Sequence, residues 1–160
     1  STTTAGSTRI DSGFNLTCVQ NARDQLDKEG FDDVVFLAST GGWNGGHLDD
    51  TRSADDIYLQ WKAWGGDVFD GIDFDLEGNN DMESALNVFT IKCLDNIGEI
   101  SRLAKLDGYQ ISIVPPQSYL DLGYSKFSRY VNLTNPTRAW HSEFSYYGAN
   151  VYAYLVVKYF

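Results

Sequence analysis

Residues Phe69 to Gly78 read F-D-G-I-D-F-D-L-E-G, and no other stretch limits the fold of this chain so tightly. Asp73, Asp75 and Glu77 alternate with Phe74 and Leu76. Successive side chains of a β-strand point to opposite faces. The alternation therefore predicts a strand with Asp73, Asp75 and Glu77 in one column and Ile72, Phe74 and Leu76 in the other. Neighbouring acids in such a column have Cα atoms about 6.5–7 Å apart. A solvated strand has no need of three large hydrophobes behind three carboxylates. Like charges that close repel, and partial burial makes one of them keep a proton near neutral pH. One protonated carboxyl beside a charged one is the arrangement used to break glycosidic bonds.

Strands alternating with helices surround this motif. Leu16, Val19, Ala22 and Leu26 share a helical face over residues 16–29, with Gly30 as the stop. The apolar run Val34 to Ala38 predicts a strand buried on both faces. It leads into a tight glycine-rich loop, Ser39 to Gly46. Ser53 and Asp56 have the spacing of a capping box. The helix they open carries Ile57, Trp61 and Trp64 as core and ends at Gly65-Gly66. After the acidic strand, a stripe of Leu86, Phe89, Cys93, Ile97, Ile100 and Ala104 predicts a helix from about Ser84 to Leu106, closed by Asp107-Gly108. Tyr109 to Val114 is the next strand, stopped by Pro115-Pro116. Residues 117–148 are expected to form a long connection, with Trp140-His141 in a surface or packing role. Asn150 to Phe160 is expected to form a last helix. Residues 1–14, rich in Ser, Thr and Gly, are expected to be a loop or frayed terminus. The alternation implies βα units, a parallel sheet and a single α/β domain over residues 1–160.

Composition narrows the partners. A net charge of −10 argues against nucleic acid and against an anionic membrane surface. No apolar run is long enough to cross a bilayer. A neutral substrate suits the charge. Four Trp and ten Tyr are many for this length; composition alone favours core packing over a sugar-binding surface. The chain starts at Ser1 rather than Met and shows no signal peptide, which we read as processing or excision. Cys18 and Cys93 are too few for a disulfide scaffold and are expected to be unbonded to each other. Sequons at Asn15-Leu16-Thr17 and Asn132-Leu133-Thr134 permit N-glycosylation and a secreted or vacuolar protein.

Two metal readings compete for the acids. Asp73, Asp75, Glu77 and Gly78 match the opening positions of an EF-hand loop, but Ser84 stands where a bidentate Glu belongs. The strand pattern also denies the loop its entering helix. A carboxylate site for magnesium or manganese has no nearby His in sequence to complete a mixed set. The glycosidase reading accounts for the alternation, the glycine-rich loop and the aromatics together.

With these residues in view, the chain resembles glycoside hydrolase family 18, the chitinases and their relatives. Asp70, Asp73, Asp75 and Glu77 match the signature D-x-x-D-x-D-x-E in full. Ser39-Thr40-Gly41-Gly42 matches a second signature, S-x-G-G, and Pro115-Pro116-Gln117 matches a weaker third. The resemblance runs from about residue 16 to 160. It implies part of a (β/α)₈ barrel, the predicted strands being the third to the fifth. A full barrel takes about 250 residues, so the resemblance implies a middle portion. The family also places a tyrosine on the sixth strand and often a tryptophan on the eighth, and this chain is expected to end before either.

The resemblance further implies hydrolysis of β-1,4 bonds between N-acetylglucosamine units, as in chitin, without a cofactor. Glu77 would act as general acid and base, Asp75 would orient the substrate acetamide, and Asp73 would share a proton with Asp75. Asp70 would hold the start of the strand, with Ser39, Gly41 and Gly42 supporting. Trp43, Gln117 and Tyr119 are candidate sugar contacts. Alternatives are an endo-β-N-acetylglucosaminidase acting on N-glycans and a non-catalytic chitinase-like lectin. Retention of all four acids favours an enzyme.

Overall fold

The acidic motif forms the middle strand of a three-stranded parallel sheet. The structure, a computed structural model, describes residues 13–115, 122–127 and 146–160. Strand β1 (Leu37–Gly41), β2 (Gly71–Asp75) and β4 (Gln110–Val114) lie in the order β1-β2-β4. Ser39 and Ser112 flank Asp73, and Gly41 and Val114 flank Asp75. Helices α2 (Ala54–Gly65) and α3 (Ile91–Leu106) connect these strands. Crossovers of that kind return the chain in the same direction, which makes the sheet parallel. Ile72, Phe74 and Leu76 are each at most 3% exposed. Burying side chains of this size contributes roughly 1.5–3 kcal/mol apiece. That term fixes the register, because a slip of one residue would put the acids into the core.

The helices start where local hydrogen bonds favour them. Asn15 caps α1 (Leu16–Lys28) by accepting from the N–H groups of Thr17 and Cys18. Ser53 Oγ accepts from the Asp56 N–H at the start of α2. Thr90 Oγ1 accepts from Cys93 at the start of α3. Asn150 caps α4 (Val151–Tyr159) through Ala153. Helix α3 is the spine of the core, with Cys93, Leu94, Ile97, Ile100 and Ala104 buried. Helix α4 is fastened to it at one atom: Asp95 Oδ1 accepts from Tyr154, Lys158 and Tyr159 at 2.6–2.8 Å. Trp61 is buried in the core and Trp64 packs against it, as their helical spacing predicts. Cys18 and Cys93 are both free thiols, also as expected.

Three expectations are corrected. The apolar run at residues 34–36 is not strand, and Val34 and Val35 are exposed. Strand β1 instead begins at Leu37, where its first partner, Gly71, becomes available. It also takes in Ser39 to Gly41, so the loop is shorter than the glycine pattern suggests. The long helix starts at Ile91, not near Ser84. A 3₁₀ turn at Ala85–Asn87 and a short strand β3 (Val88–Phe89) precede it. Here the Asn87 side chain is engaged with the turn after Glu77, and Thr90 is the cap. Lastly, the segment before Asn150 is not connection throughout. Strand β6 (Tyr147–Ala149) pairs with β3 in parallel and with β5 (Lys126–Phe127) antiparallel, making a second small sheet.

The large sheet is open, and the fold is α/β with parallel strands alternating with helices. Among the described residues no helix is long and apolar enough to cross a membrane. Pro116, Gln117, Tyr119, Asn132 and Trp140-His141 lie outside the described residues.

Candidate active site

The motif's acids run from just before β2 to just past its end. Asp70 precedes the strand and is fully engaged there. Its Oδ2 accepts from Arg23 at 2.7 Å and from the Phe36 N–H at 2.7 Å. Burial alone would raise the Asp70 pKa, but the two hydrogen bonds and the Arg23 charge outweigh it and lower the value. Arg23 is itself fixed, donating to the Val68 carbonyl and lying 4.5 Å over the Phe36 ring. Asp70 thus ties α1 and the approach to β1 to the beginning of the acidic strand.

Asp73 and Asp75 sit half-buried on the polar face of β2. Asp73 Oδ2 accepts from Ser39 Oγ at 2.7 Å, across the β1–β2 pair that the register sets opposite. Asp75 Oδ1 is buried and has no hydrogen-bond partner among the described residues. A buried acceptor left unmade costs about 1–3 kcal/mol, so native proteins keep few of them without a purpose.

Glu77 follows just past the strand. Its pKa is raised by burial, by the negative charge of Asp75 and by a hydrogen bond with the Asp75 side chain. No described cation is paired with Glu77, in contrast to Asp70. The acid that a general-acid role requires to hold its proton is the one whose surroundings favour the proton.

The glycine-rich loop holds the backbone beneath these acids. Gly42 N–H donates to the Asp75 carbonyl at 2.6 Å, and Asn44 N–H donates to the Gly78 carbonyl at 3.0 Å. Gly41 has φ +109°, and a Cβ there would overlap the Asp75 carbonyl oxygen. Only glycine allows this approach. Trp43 stands on the same loop, 48% exposed.

Three residues that the sequence did not single out complete the surroundings. His47 lies with Nε2 3.1 Å from the Glu77 carbonyl oxygen. A histidine therefore contacts the Glu77 main chain, and among the described residues no group of three or more His, Cys, Asp or Glu is placed to hold a metal ion. Asn87, fully buried, accepts from the Asn79 N–H and donates to the Asp81 carbonyl. A Cβ on Gly78 would overlap the Asn87 amide oxygen, so Asn87 and Gly78 specify one another. Tyr146, 7% exposed, faces the same acids. Burial raises its pKa, a hydrogen bond with the Gly78 backbone opposes this, and the charges of Glu77 and Asp75 add to the rise. The tyrosine-rich composition was the only signal for Tyr146, and nothing in the sequence pointed from His47 to Glu77.

A hollow of about 620 Å³ lies at the other end of the sheet, by Arg23, Asp33, Val35, Asp70 and Tyr109. Glu77 and Asp75 do not line it. Compared with family models, with curated proteins and with solved structures, the chain matches none.

Proposed function

We propose that this chain carries the acid–base centre of a chitinase-like glycoside hydrolase that cleaves β-1,4-N-acetylglucosaminide bonds. The observation that carries the reading is the protonation bias at Glu77, set by burial and by Asp75 at the C-terminal end of a parallel strand. Ligand sites in α/β sheets gather at that end of the strands. The motif resemblance supplies the reaction class. We read β1, β2 and β4 as three adjoining strands of a (β/α)₈ barrel, which accords with their parallel order and intervening helices.

In this mechanism Glu77 gives its proton to the glycosidic oxygen as the bond to C1 breaks. The carbonyl oxygen of the substrate's own acetamide attacks C1 and forms an oxazolinium ion, the substrate-assisted route. Water then opens the ring, and Glu77 takes the proton that the water loses. Asp75 accepts from the acetamide N–H, the role that the motif resemblance implies for it. Asp73, held by Ser39, backs Asp75. A secreted or vacuolar location is part of the same proposal.

The test is hydrolysis of a fluorogenic N-acetylglucosamine oligomer by this chain and by Glu77→Gln. Release by the first and not by the second is the expected result. Equal release by both would remove Glu77 from the mechanism. Oligomer binding without release would favour the lectin reading. Cleavage confined to N-glycan substrates would favour the endo-β-N-acetylglucosaminidase.

A further inference from the structure

The loop from Gly42 to His47 runs beside residues 75–78 and meets three of their carbonyls. Gly42 and Asn44 reach the Asp75 and Gly78 carbonyls through backbone N–H groups. His47 reaches the Glu77 carbonyl through a side chain, with Nε2 at 3.1 Å. A carbonyl can only accept, so Nε2 carries the proton in this bond. The ring has little freedom to leave. It stacks on Phe89 with centroids 4.7 Å apart and planes 23° from parallel, and Phe89 is 1% exposed. Burial lowers the His47 pKa, and contacts with the Glu77 and Val88 backbones oppose the shift without reversing it.

This combination suits the main chain of a general acid. A lysine or arginine at position 47 would place a fixed positive charge next to Glu77, and opposite charge favours ionised carboxylate. An uncharged ring holds the backbone without removing the proton from the side chain. The charged and titratable groups set by their shifts beside the Glu77 carboxyl are then Asp75 and Tyr146.

We propose that His47 is a positioning residue for Glu77, a ring braced on Phe89 that holds the Glu77 main chain so that its carboxyl stays beside Asp75. The proposal rests on the reading of Glu77 as the general acid, and its test separates the two. Two variants are compared with the parent chain. His47→Phe keeps a ring against Phe89 and removes the Nε2–H donor. His47→Gln removes the ring and supplies an amide N–H. The Glu77 carboxyl is titrated by carbon NMR in all three, and kcat and KM are measured on the fluorogenic oligomer.

In His47→Phe the Glu77 midpoint is expected to fall toward the ordinary carboxylate value, as the freed carboxyl moves into water and away from Asp75. With it kcat falls about tenfold while KM stays within about twofold, since displacing a catalytic group costs rate rather than binding. His47→Gln recovers part of both. An unchanged Glu77 midpoint in His47→Phe overturns the proposal, whatever the activity. A moved midpoint in a chain that never cuts the oligomer upholds the positioning role and removes the hydrolase reading. If His47→Phe does not fold, the titration of His47→Gln decides: a Glu77 midpoint below that of the parent supports the proposal, and one unchanged from the parent overturns it.

Discussion

Asp70 and Glu77 belong to one motif and lie at opposite ends of one strand, yet their surroundings drive them in opposite directions. Asp70 has a guanidinium at 2.7 Å and a backbone N–H at 2.7 Å, and its pKa is lowered. Glu77 has burial and a second carboxyl, and its pKa is raised. The first arrangement makes a permanent anion that joins elements together. The second biases a carboxyl toward its protonated form. Acids of one motif are thus driven apart by their neighbours, a guanidinium and a backbone N–H at Asp70, burial and a second carboxyl at Glu77.

The largest expected effect tests the Glu77 end. Glu77→Gln keeps the shape and removes the transferable proton. Turnover of the fluorogenic oligomer should fall by about 10²–10⁴, the usual contribution of general acid catalysis, with the melting temperature kept or raised. A large loss of stability instead would make Glu77 a structural acid like Asp70 and erase the contrast.

Next is the support between them. Gly41→Ala forces a side chain into positive φ and against the Asp75 carbonyl. A cost of about 2–4 kcal/mol is expected in urea unfolding, combining a left-handed residue with overpacking. A cost near zero would mean that the loop does not hold the acids at the distance described.

Asp70→Asn should cost less. The Asp70 side chain is 37% exposed, so solvent screens part of its pairing with Arg23. About 1 kcal/mol is expected at pH 7. Its pH dependence opposes that of Glu77. A lowered acid stabilises above the unfolded-state value, about 3.9 for Asp, and this stability is lost as pH falls through the folded value. The gap between the parent and Asp70→Asn should therefore close on acidification. A raised acid does the reverse: its contribution is complete below the unfolded-state value, about 4.3 for Glu, and is lost as pH rises through the folded value. Thermal melts from pH 3 to 8 should show Glu77→Gln gaining on the parent as pH rises. Parallel curves for both variants would break the comparison.

The smallest structural effect is expected at Trp43. It is half-exposed, so Trp43→Ala should change stability by no more than about 0.5 kcal/mol. If this ring meets sugar, KM on the oligomer rises several-fold while kcat changes little. An unchanged KM would take Trp43 out of the site.

Much of this could be read in advance where local physics settles it. The acidic strand was legible because a period of two leaves one way to bury Ile72, Phe74 and Leu76. The start of α2 was legible because Ser53 offers an oxygen to an unpaired N–H. The run at residues 34–36 misled because apolar residues in sequence do not supply a neighbouring strand, and none meets Val34 or Val35. Leu86 and Phe89 have helical spacing with the stripe beyond them. Yet the Asn87 side chain is committed to the turn after Glu77, and a helix through that point would break two of its hydrogen bonds.

By itself, then, the sequence determined which residues share the strand, which face carries the acids and where α2 is capped. These depend on backbone geometry and on groups a few positions apart. Only the tertiary structure decided what each acid meets. Arg23 is 47 positions from Asp70, and His47 is 30 from Glu77. A carboxyl's charge follows its nearest ions, hydrogen bonds and burial. Spacing along the chain sets none of these, so which carboxyl is biased toward the anion and which toward the proton was settled by folding.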